Sequence, residues 1–189
     1  MDNQKLLKQG LLLEYLTLGL NVAGCIILLL IIKSKSISLF GFGVDSAIEI
    51  LASLIVIWQL KAMNKDKERV AEKMIGISFI LLSLYILMQI YISCTSKIHP
   101  QSSVVGIMWL TITAIVMFLL AYGKKKVGNA LNHPVLLAEA KVTVIDGLLA
   151  VSVLIGLLLN ALFGFWWADA LASLVIVYFG AQEAMHTLK

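Results

Sequence analysis

Apolar residues in this chain come in long runs, broken by short polar stretches. Six runs are long enough to cross a hydrocarbon core, which needs about 20 mostly apolar residues. They cover about 10–32, 37–60, 72–93, 104–122, 137–161 and 166–185. The connections read KSKS, KAMNKDKERVAEK, CTSKIHPQSS, GKKKVGNALNHP and FGF. Their Gly, Pro, Asn and Ser content suits turns. The pattern predicts an all-α membrane protein, a single domain of six transmembrane helices over residues 1–189.

Composition agrees. Of 189 residues, 60% are hydrophobic and only 14% charged, too few charges to cover a soluble domain of this size. The net charge of +4 is no nucleic-acid signal, because the basic residues sit in short connections. Cys25 and Cys94 form no CxxC pair and read as small packing residues. VAGC at 22–25 imitates a lipoprotein cleavage site, but Glu14 interrupts the preceding run and IILLLII continues it. That makes it part of a spanning helix. LFGF precedes LASL twice, at 39–54 and 162–174, with offsets that differ by three residues. An internal repeat and chance in a restricted alphabet both explain that echo.

Basic residues set the orientation. An even number of spans puts both termini on one side, with Lys5, Lys8, Lys61, Lys65, Lys67, Arg69, Lys73, Lys124, Lys125, Lys126, Lys141 and Lys189. Lys33, Lys35 and Lys97 fall on the other. That bias places both termini in the cytoplasm.

Any chemistry belongs to the acids left inside the spans. At about 1.5 Å per residue, Asp45 lies about 10 Å and Glu49 about 16 Å below the outer edge, and Asp146 lies about 13 Å from the inner edge. Asp45 and Glu49 share a helix face one turn apart. Asp45, Glu49 and Asp146 are therefore expected to converge near mid-membrane if the second and fifth helices pack together. No basic residue is expected at that depth, since Lys141 can snorkel to the interface. Such carboxylates must be protonated, hydrated or bound to a cation. An oxygen-rich cluster suits a hard or borderline divalent metal. The competing structural reading has them protonated and bonded to Ser46, Ser53 or Thr143 between helices.

Glu14 and Glu139 fall about 6 Å and 3 Å inside the inner edge, as a vestibule, a secondary site or ordinary interfacial carboxylates. Asp169 opens the sixth span and reads as helix N-terminal charge. Trp166 and Trp167 beside it fit an aromatic belt. His99, His133 and His186 lie in connections or the tail, out of reach of a mid-membrane site. No histidine pair, serine–histidine arrangement or phosphate loop suggests an enzyme.

SLFGFGVDSAIEILASL resembles the second span of the cation diffusion facilitator (cation efflux) family, whose DxxxD pair appears as Asp45 and Glu49. AEAKVTVID resembles the start of that family's fifth span, where HxxxD supplies further ligands and Asp146 matches the aspartate. WWADALASL resembles the opening of its sixth span. The resemblance covers nearly the whole chain, as the transmembrane domain without the family's C-terminal cytoplasmic domain. It implies export of zinc or a related divalent metal in exchange for protons, by alternating access in a homodimer held by its spans. The implied partners are metal ions, protons and the lipid bilayer of a bacterial plasma membrane, with no permanently bound cofactor and no nucleic acid. Val142 stands where the family has its histidine, leaving an all-oxygen ligand set that shifts expectation from zinc toward manganese, iron or cobalt. A histidine at 142 is expected to favour zinc over manganese. The alternative is a non-transporting membrane subunit or metal sensor that keeps the transporter fold.

Overall fold

A computed structural model describes the backbone of residues 3–31, 37–62, 65–95, 104–163 and 168–188, and the side chains of these except 27–31, 37–45, 93, 104–106, 157, 160–161 and 168–172. The described residues form six α-helices: α1 (Asn3–Ile31), α2 (Ile37–Ala62), α3 (Lys65–Thr95), α4 (Val104–Leu131), α5 (Pro134–Phe163) and α6 (Ala168–Thr187). Over their described residues, three are long and apolar enough to cross a membrane, within Asn3–Ile26, Lys65–Ile92 and Ile107–Leu131.

Each helix takes up the described part of one expected apolar run, and several continue beyond it. α1 and α3 begin well before their runs, and α4 continues past Tyr122 to Leu131. Lys, Glu and Arg are good helix formers, so a polar extension need not end a helix where the apolar stretch ends. Asp66 and Glu68 in the first turn of α3 suit its positive end.

α4 and α5 form a hairpin. Asn132 ends α4 in the left-handed region, at φ 49°, where Asn is among the residues most readily accommodated. The His133 amide donates to the Gly128 carbonyl at 2.9 Å. The Leu136 amide donates to His133 Nδ1 at 3.2 Å, which caps α5 just ahead of Pro134. Proline suits the first helical position because its missing N–H would have no partner there. A Cβ added at Gly128 would lie 2.8 Å from the Leu137 side chain, so the hairpin closes against glycine.

α5 packs against α2, α3, α4 and α6, while α1 packs against α2 and α4. The apolar core includes Ala52, Val56, Leu60, Ile75, Phe79 and Leu136. Large apolar side chains also point outward, among them Leu84, Met88, Ile115 and Leu119 at 57–65% exposure. Many of the polar residues point inward. Such an outer surface suits lipid and would be unusual in water.

Candidate metal site

Three helices turn a polar stripe toward one another. On α1 it is Glu14, Thr17 and Asn21; on α2, Ser46, Glu49 and Ser53; on α5, Glu139, Thr143 and Asp146. The spacings of three, four and seven residues keep each set on one helix face. All nine are buried.

At one level the stripe brings Glu49 and Asp146 together. Their carboxyl groups are electrostatic and hydrogen-bonding neighbours. Two carboxyls can approach in this way only with a proton or a cation between them. Asn21 Nδ2 donates to Glu49 Oε2 at 2.9 Å, and also to the Thr17 carbonyl at 3.1 Å. Glu49 Oε1 has no donor. One carboxylate oxygen is thus held by an amide, and the other is buried without a hydrogen bond.

The Asp45 backbone lies in α2, one turn from Glu49. Its side chain lies outside the described residues, as does that of Asp169. Among the described residues, no three His, Cys, Asp or Glu side chains gather closely enough to hold one metal ion. Val142 is buried within the apolar core and offers no ligand.

About two helical turns along the same stripe lies a second cluster. Lys124 Nζ lies 2.5 Å from Glu139 Oε1 and 3.3 Å from Glu14 Oε2. It also donates to Thr143 Oγ1 at 3.1 Å. The Thr143 hydroxyl faces Glu139 Oε1 at 3.2 Å and the Glu139 carbonyl at 3.3 Å. Glu14, Lys124, Glu139 and Thr143 all have 0% exposure. The Glu14 and Glu139 carboxyls are neighbours as well.

This arrangement corrects the sequence reading of Lys124. Counted there among the loop lysines, it belongs to α4 and is buried between two glutamates. Its charge reaches Glu49 too, so the acids are not without a cation in their surroundings. Glu14 and Glu139 line no open vestibule in this structure, because neither is exposed. The cause is helical phase. Met117, Leu120, Ala121 and Lys124 follow a buried 3–4 spacing, whereas Lys125 and Lys126 point outward. Continuing that periodicity through GKKK was the available signal. A Cβ at neighbouring Gly123 would meet Leu13 at 3.0 Å, so glycine lets α1 approach beside the ion pair.

Asn21 is the other residue the sequence reading missed. It lies seven positions after Glu14, the same spacing that separates Glu139 from Asp146. Lys141 pairs with Glu183 of α6 at 2.6 Å on the exposed side. His133 caps α5 and His186 ends α6, whereas His99 lies outside the described residues. Cys25 is half-buried, but Cys94 is exposed rather than packed.

The family model for the cation efflux transmembrane domain matches residues 15–189, which include α2, α5 and all three residues expected to bind metal. A match over nearly the whole length, around a bundle with inward carboxylates and outward apolar side chains, establishes that the chain belongs to the cation efflux family of integral membrane transporters of divalent cations.

Proposed function

We propose that the chain is a six-span exporter that exchanges a divalent cation for protons, with Glu49 and Asp146, joined by Asp45, as the cargo site. The observation that carries this reading is the meeting of Glu49 and Asp146 in a buried seam, with Asn21 orienting one of them. A carboxylate ligand must shed its proton to bind metal, so cargo and protons exchange at these oxygens. Oxygen ligands without imidazole suit manganese, iron or cobalt as well as zinc.

Both termini lie in the cytoplasm in this reading. Removing Lys124 from the loop lysines leaves the bias toward that side intact. The chain works as a homodimer through its helices, in alternating access within a bacterial plasma membrane, and performs transport without catalysis. Its cargo binds transiently, with no resident cofactor.

The test is metal flux in proteoliposomes with an internal pH dye, run with zinc, manganese, iron and cobalt. Metal movement should carry protons the opposite way. Glu49→Gln and Asp146→Asn should each weaken metal binding by at least about 100-fold, because loss of an outer partner alone costs about 10–100-fold. Flux without proton movement would exclude antiport. Binding without flux would favour the sensor reading.

A further inference from the structure

The Glu14–Lys124–Glu139 cluster has a charge that its own groups do not balance. Fully ionised, it carries two negative charges and one positive, at 0% exposure. The ammonium lies 2.5 Å from Glu139 and 3.3 Å from Glu14. Glu14 Oε1 and Glu139 Oε2 have no hydrogen-bond partner, and Glu14 Oε2 has only the ammonium at 3.3 Å. A lone buried negative charge costs several kcal/mol, and a carboxylate in that position is neutralised instead.

We infer that Glu14 and Glu139 form a second proton-binding site, in which one exchangeable proton sits between the two carboxyl groups while the Lys124 ammonium neutralises the remaining charge. Protonation forms one O–H bond on a carboxylate oxygen, with hydronium as donor and water left behind. Release reverses it. The groups facing the site are Glu14 from α1, Lys124 from α4, and Glu139 with Thr143 from α5; Glu49 of α2 is felt at longer range. The buried Glu14 Oε1, which has neither a hydrogen bond nor an ion pair, is the observation, beyond the acidic pair itself, that points to a ligand. Lys124 limits that ligand to one positive charge. A divalent cation would leave the buried cluster positive.

The position suits coupling. Glu14 and Asn21 on α1, like Glu139 and Asp146 on α5, are seven residues apart, about 10 Å along a helix. Thr17 and Thr143 lie between them. A proton held here communicates with the Glu49–Asp146 site through charge and does not compete for the same oxygens. Use in transport rests on the antiport reading, but the existence of the site does not.

Infrared spectroscopy of the purified, metal-free chain in detergent reads protonated carboxyls directly from their C=O stretch, identified by its shift in heavy water. Glu14→Gln and Glu139→Gln should each remove one protonated carboxyl that Glu49→Gln leaves in place. Lys124→Met should add one, because both glutamates must then be neutral. The inference is overturned if both glutamine variants keep the wild-type band, if Lys124→Met leaves it unchanged, or if sodium abolishes it at constant pH. With the band behaving as expected and no metal moving in proteoliposomes, the transport reading fails and the proton site stands.

Discussion

The two buried clusters sit on the same face of α1 and of α5, and each joins two carboxyl groups, yet they are balanced differently. Glu14 and Glu139 close around a cation that belongs to the chain, the Lys124 ammonium. Glu49 and Asp146 meet with only a neutral amide, Asn21, directly on Glu49. A tethered cation makes the first cluster part of the folded structure. The second has no tethered cation on its carboxyls among the described residues, so both of its charges are left to protons or a free cation, which suits binding and release of a divalent metal. Where the lysine is placed thus separates a cluster with room for one further positive charge from a site able to take a divalent cation.

The largest expected effect tests that distinction on the structural side. Removing one partner of a buried ion pair costs about 3–5 kcal/mol when a charge is left behind. Lys124→Met should cost about 3 kcal/mol, the lower end, because a glutamate can take up a proton. Adding Glu139→Gln should recover part of the loss. The exposed Lys141–Glu183 pair is the control, and Lys141→Ala should cost under about 1 kcal/mol. Unfolding in detergent measures all three. Equal losses for the two lysines would remove the contrast between a buried and a surface pair.

A smaller effect sharpens the other side. Asn21→Ala removes the donor that orients Glu49, and outer partners of a ligand are worth about 10–100-fold in metal affinity. We expect a loss of about tenfold, the lower end, since Asn21 is a neutral amide. Calorimetry with manganese and zinc measures it. Unchanged affinity for both would show that Glu49 does not need Asn21 to face its cargo.

The smallest effect concerns the α4–α5 hairpin that sets Lys124 against Glu139. Burial of His133 lowers its pKa from the ordinary 6.5, although nearby Glu68 acts in the opposite direction. Its Nδ1 must be neutral to accept from Leu136 N–H. The folded pKa is depressed, so the stabilisation is complete above the unfolded pKa, about 6.5. It declines as pH falls below that value and is lost through the lower folded pKa. His133→Ala should cost about 1 kcal/mol at pH 7.5, as for loss of a helix cap. His133→Asn should keep most of the cap and abolish the acid-dependent part. Thermal midpoints followed from pH 7.5 downward measure both, and identical pH profiles for wild type and His133→Asn would contradict the assignment.

The helices were readable because apolar runs of this length have one economical structure in lipid, where every backbone group must find its partner within the segment. Their polar ends were less readable. Charge suggested that the fourth run stopped near Tyr122, whereas backbone hydrogen bonding carries α4 to Leu131. Of the expected site, matched depth on two helices put Glu49 level with Asp146, and both are buried on helices that pack together. The Asp45 side chain lies outside the described residues.

What the sequence determined by itself is the set of helices, their apolar surface and the rows of acids, since hydrophobic length and 3.6-residue periodicity are local properties. Tertiary structure decided which lysine of GKKK turns inward, that Glu14 of α1 and Glu139 of α5 meet around it, and that Asn21 reaches Glu49. These depend on the phase of one helix against another. That phase is set by close contacts such as Leu13 on Gly123 and Leu137 on Gly128, between residues whose facing is settled only when the helices pack.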